Sequence, residues 1–479
     1  MSLYDVPYLL AAPVLGAPMA WKRWRHGKYR DSLPAMLGRG LPSDRRMRLI
    51  LAQPNRPVWL HAVSVGEVVA ARALLRALRL RLPDYPLIVS TTTETGQAHA
   101  RATLDGLADL IFYAPLDFSW IVRRFAAYYA PAAYVAMETE LWPNLLCEMR
   151  RRGVPAFLIN GRLNERSFRG YRRVRWALGP ALRAFRACLM QTPADARRLI
   201  ALGVDPRRVL VMGNCKFDAL PDPMPPGERR ALRMQLGWSD EDFVLVAGST
   251  HDGEENAVLE AIGRLRAEGR TRPALRLVLA PRHPERFEDV ARLVEQAGLR
   301  LVRFSDREAE LTACSACDAP ERMGRAEATA ATAAPLPLSH HTTPAPATGG
   351  IGGGINAPPD VLLLDAMGRL ARWFGVGDAA FVGGSLTDKV GGHNLLEPAA
   401  HGVPVLHGPH MFKQPEIMKI IRRHQASLET TDLAAALRAL MTDAARRTAL
   451  ADAARRAAAS TRGSAARAAA VIARTLGAP

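Results

Sequence analysis

A glycine-rich segment toward the C-terminus carries residue types suited to binding a phosphate. An apolar run ends in Gly-Gly-Ser at 383–385, a second glycine pair follows at 391–392, and a helix is predicted to begin near His393 or Asn394. Glycine lets a backbone approach a phosphate closely, and a helix N-terminus supplies free N–H groups. Glu397, one turn into that helix, could accept hydrogen bonds from ribose hydroxyls. The pattern indicates a sugar-nucleotide site, although the glycines alone equally suit a strand–turn–helix in any α/β protein.

A carboxylate stands at a second junction between a predicted strand and a predicted helix. The apolar run Pro57–Leu60 precedes His-Ala-Val-Ser-Val-Gly-Glu at 61–67, and a helical pattern follows over Val68–Leu82. Glu67 therefore lies at the carboxyl end of a strand, where open α/β sheets bind their ligands. A glutamate in the first turn of a helix is also favoured by the helix dipole alone. Both interpretations of Glu67 stay open at this point.

Strand-like apolar runs alternate with amphipathic helical patterns in two stretches of the chain. This alternation predicts βαβ units and a parallel sheet in each stretch, hence two doubly wound α/β domains. Between them lies a proline-rich run that is incompatible with a helix and predicts an interdomain linker. The predicted strands are Val58–Ala62, Leu87–Ser90, Leu110–Tyr113, Ala133–Ala136, Ala156–Ile159, Cys188–Gln191 and Val209–Met212, then Phe243–Ala247, Arg276–Ala280, Leu299–Phe304, Val361–Leu364, Ala379–Val382 and Pro404–Leu406.

The domain limits follow from these patterns. We expect a first domain over 31–217, a linker over 218–230, and a second domain over 231–479 that ends in an alanine- and arginine-rich helical tail. Residues 307–358 consist mainly of Ala, Thr, Pro and Gly. Such a segment cannot bury enough apolar surface to offset its ordering entropy, so it predicts a disordered insert in the second domain.

The N-terminal residues 1–30 combine an apolar run with a cationic one. Leu3 to Trp21 is mostly apolar but interrupted by Asp5, Pro7 and Pro13, and the segment from Trp21 to Arg30 is basic with interleaved tryptophan. This order favours an uncleaved membrane-anchoring or interfacial segment, with the following chain on the cytoplasmic side. A buried amphipathic first helix with a basic cap is the open alternative.

Composition adds two bounds on partners and compartment. The net charge of +18 suits a protein that meets polyanions such as anionic membrane, phosphorylated substrates or nucleic acid. The five cysteines form no disulfide-scaffold pattern, and Cys314-x-x-Cys317 has no matching second pair of metal ligands. We therefore expect a reduced protein facing the cytosol.

Segments along nearly the whole chain, outside the insert and the tail, resemble those of the Kdo transferases of lipopolysaccharide synthesis. These enzymes move the acidic sugar Kdo from its CMP ester to lipid A precursor at the cytoplasmic face of the bacterial inner membrane. The resemblance implies the GT-B architecture, in which two Rossmann-like domains flank a cleft, with acceptor binding in the first domain and nucleotide-sugar binding in the second. The matching segments are HAVSVGE (61–67), STTTETG (90–96), YAPLD (113–117), METELWPN (137–144), NGRLNERS (160–167), QTPADARRL (191–199), GNCKFD (213–218), GSTHDGEE (248–255), PRHPERF (281–287), LLLDAMGRL (362–370) and GGSL…GGHNLLEPAA (383–400).

The resemblance assigns three catalytic residues in the first domain: Glu67 as the base, Glu138 as a contributor to the transition state, and Lys216. Strand alternation predicts that Glu138 and Glu140 share one side of an extended segment; hydrogen bonding to the following turn would also explain the pair. Lys216 is the only lysine between positions 29 and 388 and could meet an anionic transition state. An ion pair with Asp218 or another acid is the structural alternative.

Donor binding is expected in the second domain. An arginine after a strand offers a fork for phosphate or carboxylate, and hydroxyl residues after a strand could cap a phosphate-binding helix. Arg369 stands where the family usually has glutamate, which leaves that contact in doubt. The donor-binding residues implied are Ser249, Thr250, His251, Pro281, Arg282, His283, Met367, Gly368, Arg369, Gly384, Ser385, Asn394, Leu395, Leu396 and Glu397.

The reaction expected is transfer of Kdo from CMP-Kdo to lipid A precursor (lipid IVA) with inversion. No Asp-x-Asp metal dyad stands out in the candidate loops, so we expect no metal and no other cofactor. The partners expected are CMP-Kdo, lipid A precursor and inner-membrane lipids, without nucleic acid. A sugar-nucleotide epimerase of the same architecture would need no basic, tryptophan-bearing N-terminal segment. A basic membrane- or nucleic-acid-binding scaffold would leave the ordered motifs unexplained.

Overall fold

A computed structural model describes residues 2–10, 21, 25, 32–39, 41, 47, 49–50, 52–269, 273–313 and 357–478. The chain divides into two compact units, Met1–Leu220 with Thr461–Pro479 and Pro221–Ser460. Most of the predicted insert, residues 314–356, and most of the predicted N-terminal anchor lie outside the described residues. The prediction of two doubly wound α/β halves is confirmed, because each unit contains a parallel seven-stranded sheet.

The first unit is built on a sheet whose strands are buried along their whole length at its centre. The strand order is β3-β2-β1-β4-β5-β6-β7, and every pairing is parallel. Alternate residues of each strand feed two separate apolar cores, with Trp59 in one and Leu60 in the other. The strands are β1 Val58–His61, β2 Leu87–Thr91, β3 Leu110–Tyr113, β4 Ala133–Met137, β5 Ala156–Gly161, β6 Phe185–Met190 and β7 Val209–Val211.

Helices connect these strands, as the parallel order requires. A short 3-10 helix, Cys215–Ala219, ends the run of elements before the division between the units. The helices of this part of the chain are α1 Ser32–Met36, α2 Val65–Arg81, α3 Glu94–Thr103, α4 Ser119–Tyr129, α5 Pro143–Arg151, α6 Glu165–Arg173, α7 Arg175–Leu182 and α8 Pro193–Ala201.

The second unit repeats the arrangement with the order β10-β11-β9-β8-β12-β13-β14, again entirely parallel. The edge strand β14 was not predicted, because Leu428 is its one apolar residue and no apolar run marks it. The strands are β8 Phe243–Thr250, β9 Leu275–Pro281, β10 Leu301–Arg303, β11 Val361–Leu363, β12 Ala379–Val382, β13 Val405–His407 and β14 Ser427–Glu429. The helices are α9 Pro226–Gln235, α10 Glu254–Ala267, α11 Phe287–Gln296, α12 Glu308–Ala313, α13 Leu370–Trp373, α14 Leu396–Ala400, α15 Pro415–His424, α16 Leu433–Thr442 and α17 Ala444–Ala459.

The C-terminal helix α18, Ser464–Thr475, belongs to the first unit and not to the second, so the predicted limit 231–479 is wrong at its end. Ala468 and Ile472 are fully buried in the core that also contains α2. The carboxylate of Asp218 accepts hydrogen bonds from the N–H groups of Gly463 and, at 2.8 Å, Ala465. An alanine-rich pattern predicts a helix with a buried face but does not identify the surface against which that face packs.

Two other predicted limits also change. Helix α9 begins at Pro226, inside the predicted linker 218–230, because proline is well tolerated at the first position of a helix. Helix α12 continues the ordered chain to Ala313, beyond the predicted start of the insert at 307, and its Leu311 is fully buried.

Residues 2–10 are tied to the first unit by a buried carboxylate. Asp5 is fully buried and accepts hydrogen bonds from the N–H of Ser119 at 2.8 Å and from the side-chain amide of Asn144 at 3.1 Å. The side chains of Leu3 and Leu10 are nevertheless 72% and 75% exposed. This segment is therefore anchored to the protein and still presents apolar surface. Among the described residues, no helix is both long and apolar enough to cross a membrane.

Candidate functional site

Each sheet has one point at which the strand order reverses, and the predicted site residues gather there. In the first unit the reversal lies between β1 and β4, so the segments that hold Glu67 and Glu138 leave the sheet side by side. In the second unit it lies between β8 and β12, which lead to His251 and Gly384. Open α/β sheets bind their ligands outside the carboxyl ends of the strands at such points.

Glu67 is held by the first turn of its own helix. Its Oε2 accepts a hydrogen bond from the N–H of Val63 at 2.8 Å, and its Oε1 accepts one from the hydroxyl of Ser64 at 3.1 Å. These contacts keep the carboxylate beside the first turn of the helix, where the dipole also favours it, so the structural alternative for Glu67 stays open. Each carboxylate oxygen nevertheless keeps a second lone pair. Burial raises the pKa of Glu67, and the negative charge of Glu138 raises it further.

Glu138 and Lys216 form a close ion pair beside Glu67. The Lys216 Nζ lies 2.6 Å from the Glu138 Oε1, and a Cβ atom added to Gly66 would lie 3.6 Å from the same Nζ. The structure therefore brings all three predicted catalytic residues to the N-terminus of α2. The ion-pair partner of Lys216 is Glu138. Asp218, the other acid predicted as a possible partner, instead accepts hydrogen bonds at the N-terminus of α18.

Glu140 has different hydrogen-bond partners from Glu138. Glu138 has a positive φ of 53°, so the chain turns there and, contrary to expectation, the segment that carries the two carboxylates is not extended. The Glu140 Oε2 accepts a hydrogen bond from the Trp142 Nε1 at 2.6 Å and lies 3.8 Å from the Nε2 of the buried His61. Burial, followed by the charge of Glu67, raises the pKa of Glu140 to about 7.

A network of amide side chains, which sequence reasoning missed, positions the segment that carries Lys216. The Asn160 Oδ1 accepts a hydrogen bond from the N–H of Cys215 at 2.9 Å. The Asn214 Oδ1 accepts one from the N–H of Lys216 at 3.0 Å, and the Asn214 amide donates to the Gln191 Oε1 at 3.3 Å. Asn160 and Gln191 are the first residues of the segments NGRLNERS and QTPADARRL. Their position at the ends of predicted strands was the one feature of the sequence that could have identified them as site residues.

In the second unit, the carboxylate of Glu254 occupies the N–H groups of the Gly-Gly-Ser turn. Its Oε1 accepts hydrogen bonds from the N–H groups of Ser385 and Leu386, both at 2.9 Å. Its Oε2 accepts from the N–H of Gly384 at 2.7 Å and of His251 at 3.0 Å. The N–H groups of Gly384 and Ser385 are therefore bonded within the protein, and their predicted part in donor binding stays a prediction. Sequence reasoning missed Glu254, because an acid in the first turn of a helix is ordinarily explained by the dipole.

The three hydroxyl residues predicted to bind the donor have either a hydrogen-bond partner within the protein or a positive φ. The fully buried Thr250 hydroxyl donates to the Glu255 Oε1 at 2.9 Å, and the fully buried Ser385 hydroxyl donates to the carbonyl oxygen of Val382 at 2.6 Å. Ser249 has a positive φ of 55° where the register between β8 and β9 shifts. These residues shape the strand end and offer no free hydroxyl at Thr250 or Ser385.

A group of imidazoles and cations lies at the same strand ends. The His251 Nε2 is 2.8 Å from the Nε2 of His393, a residue to which sequence reasoning gave no binding role. The His283 ring centroid is 5.2 Å from that of His251. Pro281 ends β9 and is buried, and the exposed Arg282 follows it. Burial lowers the pKa of His393, and the positive charge of Arg282 contributes to the same shift. The structure therefore brings the predicted His251, Arg282 and His283 together.

The segment of residues 394–397 begins a short helix later than expected. Helix α14 starts at Leu396, so Glu397 is its second residue and not one turn inside it. Asn394 accepts a hydrogen bond from the N–H of Leu396 at 3.0 Å and donates one to the Glu397 Oε1 at 3.1 Å. Leu395 and Leu396 are fully buried, and burial raises the pKa of Glu397.

The predicted base-reading loop follows β11. Met367 is 54% exposed, and Gly368 has a positive φ of 80°. The Arg369 Nη2 lies 2.6 Å from the Glu308 Oε1, so this arginine is directed to an acid of α12. Only the backbone of this loop and the Met367 side chain are left to meet a base.

Among the residues that the structure describes, no group of three or more His, Cys, Asp or Glu side chains is placed to hold a metal ion. Cys314 and Cys317 lie outside that part of the chain.

Comparison with known proteins decides the family. A family model described as 3-deoxy-D-manno-octulosonic-acid transferase (kdotransferase) matches residues 40–219. The 3-deoxy-D-manno-octulosonic acid transferase of Haemophilus influenzae is 32% identical over 384 residues, which cover 80% of this chain and 78% of the relative. The chain belongs to the Kdo transferase family. The Kdo transferase of Bordetella pertussis is 32% identical over 445 residues, 91% of this chain and 89% of the relative. The resemblance predicted from the segments is confirmed, and the protein is a glycosyltransferase.

Solved structures of similar fold include enzymes of sugar-nucleotide chemistry. UDP-GlcNAc 2-epimerase from Neisseria meningitidis, bound to UDP-GlcNAc, matches with a TM-score of 0.51 and 11% identity over 88% of this chain and 99% of that chain. A glycosyltransferase from Rickettsia africae matches with a TM-score of 0.51 and 10% identity over the same shares, 88% and 99%. At these identities the likeness shows the fold alone, and the predicted GT-B fold class is confirmed.

Proposed function

We propose that this Kdo transferase moves Kdo from CMP-Kdo to lipid A precursor (lipid IVA), with inversion and without a metal or other cofactor. The observation that carries the proposal is the gathering of Glu67, Glu138 and Lys216 at the switch point of the first sheet, within a chain of this family. A general base and a cation beside it are what transfer to a sugar hydroxyl requires.

Glu67 is the proposed base. Its carboxylate takes the proton of the acceptor hydroxyl, the hydroxyl oxygen forms a bond to the anomeric carbon of Kdo, and the bond from that carbon to the phosphate breaks. The electron pair of the broken bond leaves with CMP. A single displacement of this kind inverts the anomeric centre. The raised pKa of Glu67 makes its carboxylate a better proton acceptor than that of an exposed glutamate.

Lys216 and Glu138 act beside the base. The ammonium of Lys216 is shared with one carboxylate at 2.6 Å and retains two further N–H donors. Those donors can meet the Kdo carboxylate or the charge that develops as the donor bond breaks. Glu138 fixes the position of the ammonium, so its contribution to the transition state is made through Lys216.

The second unit is the proposed donor site. Arg282 supplies positive charge for the phosphate and His283 a hydrogen-bond donor, and the backbone of residues 367–369 is the proposed contact for cytosine. Asn394 and Glu397 present polar groups for the ribose. The positive charge of Arg282 can stabilise the leaving phosphate, which supports a reaction without metal.

Membrane association at the cytoplasmic face of the inner membrane is part of the proposal. The exposed Leu3 and Leu10 offer apolar surface, and the net charge of +18 favours anionic lipids over neutral ones. The lipid acceptor keeps its acyl chains in the bilayer, so an enzyme that works on its headgroup must approach the surface. Nucleic acid is not a proposed partner.

The test is a transfer assay with the purified full-length protein. We expect CMP-Kdo and detergent-dispersed lipid IVA to give a lipid whose mass has increased by one or more Kdo residues, with undiminished rate in excess EDTA. Loss of transfer in EDTA that is restored by a divalent cation would refute metal independence. Absence of any Kdo-bearing lipid from folded protein would refute the function itself.

A further inference from the structure

The two imidazoles at the switch point of the second sheet are joined by a hydrogen bond between like atoms. Their Nε2 atoms are 2.8 Å apart, their ring planes differ by 5°, and their centroids are 5.1 Å apart. The distance between the ring centroids exceeds the distance between the two Nε2 atoms by twice the ~1.1 Å that separates a ring nitrogen from its centroid. The rings of His251 and His393 therefore lie end to end in nearly one plane and do not stack face to face.

This geometry limits how many protons the pair can hold. In an N–H···N bond one Nε2 carries a proton and the other does not. One further proton can enter at the Nδ1 of the donating ring, which then becomes an imidazolium and still donates through its Nε2. A second further proton would place N–H groups on both facing Nε2 atoms and break the bond. The pair can therefore carry one positive charge, but not two.

The surroundings disfavour a positive charge on the pair when no anion is present. Burial, and to a smaller extent the neighbouring positive charges, lowers the pKa of both imidazoles, that of His393 to about 4. The one carboxylate that favours a charge on His251 already accepts four backbone N–H groups. The charged and titratable groups that act on the pair are Glu254 of α10, Arg282 and His283 after β9, Arg286 in the following turn, and Lys413 before α15.

We propose that the His251–His393 pair takes up one proton when an anionic phosphate ligand occupies the switch point of the second unit. The proposal rests on the proposed function, because the ligand is the cytidine monophosphate part of the donor or of the product. A bound anion offsets the positive charge of Arg282 and Lys413. Repulsion from these two cations then no longer opposes protonation of the pair. The protonated pair then supplies a counter-charge for the phosphate oxygen that receives the electron pair of the broken donor bond.

Proton uptake can be measured by titration calorimetry with CMP as the ligand. The full-length protein is titrated near neutral pH in two buffers of different ionisation enthalpy, neither of them phosphate. We expect the difference in binding heat to report uptake of up to one proton per CMP. The dissociation constant should accordingly rise by up to about tenfold per pH unit above neutrality.

Two variants separate the pair from other proton sources, including the phosphate of CMP itself, whose second pKa is about 6. His393→Gln keeps a polar group near the position of Nε2 but cannot take up a proton, so the uptake assigned to the pair should disappear while CMP still binds. His99→Gln, in helix α3 of the first unit, is the matched control and should retain the wild-type uptake. Equal heats in both buffers for the wild type, or unchanged uptake in His393→Gln, would overturn the proposal. If CMP does not bind to the folded wild type at all, the proposed donor site is wrong and this inference falls with it.

Discussion

Replacing Glu254 by glutamine should destabilise the second unit strongly, although the change removes only a charge and one acceptor oxygen. Each carboxylate oxygen accepts two backbone N–H groups, and the side chain is 2% exposed. Either orientation of the glutamine amide therefore places an NH₂ group against two N–H donors. Hydrogen bonds to a charged group contribute roughly 1.5–3 kcal/mol each, so the loss of two should lower the unfolding free energy by roughly 3–6 kcal/mol.

The matching assay is thermal and urea denaturation of the full-length Glu254→Gln protein, together with CMP titration. For units of this size a loss of 1 kcal/mol lowers the melting temperature by roughly 2–4 °C, so we expect a shift on the order of 10 °C. Glu260→Gln makes the same chemical change at an exposed position of the same helix and should leave both measurements unchanged. If Glu254→Gln unfolds within about 1 kcal/mol of the wild type and binds CMP normally, Glu254 does not organise the turn.

Three further predictions concern the first unit. Glu67→Gln should melt as the wild type does but lose transfer by about 100- to 10,000-fold in the lipid assay, and near-normal turnover would exclude Glu67 as the base. Because the pKa of Glu140 is raised from 4.5 to about 7, the folded state binds its proton more tightly than the unfolded chain, and stability from this group is lost as pH rises across that range. The unfolding free energy from urea denaturation should fall less steeply with pH in Glu140→Gln than in the wild type. An identical pH dependence in the two proteins would show that Glu140 does not have the raised pKa. Some pH dependence remains in the variant, because burial also raises the pKa of Asp117 to about 7. Asp5→Ala leaves the buried Ser119 N–H without its acceptor and should lower the unfolding free energy by roughly 2–5 kcal/mol. The chain near the N-terminus should also be cleaved faster by a protease. Stability and cleavage equal to those of the wild type would contradict the anchoring role of Asp5.

The sequence predicted the sheets well because the strands of a parallel sheet are continuous apolar runs. The run that contains Val58 is buried on both faces, and its length and flanking residues distinguish it from a helix. The alternation with helices predicted that the sheets are parallel, but not the order of their strands. The three-residue strand β14 was missed, since its residues are only partly buried and carry no periodic signal.

Long-range partners were less predictable than local elements. The pattern of α18 predicts a helix with an alanine face, but the contact with α2 joins residues nearly four hundred positions apart. The acids Asp5 and Glu254 stabilise N–H groups of distant segments, and nothing adjacent in the sequence identifies those segments. Sequence reasoning placed Glu67 and Lys216 correctly near strand ends, while the turn at Glu138 depends on a positive φ that a glutamate rarely adopts.

The central claim is tested most directly by the mass of the lipid product. Purified protein is incubated with lipid IVA and, in parallel reactions, with CMP-Kdo or with UDP-GlcNAc, and the lipid is then analysed by mass spectrometry. We predict an increase by whole Kdo residues with CMP-Kdo and an unchanged lipid with UDP-GlcNAc. An unchanged lipid with CMP-Kdo, from protein that is folded and binds CMP, would contradict the account.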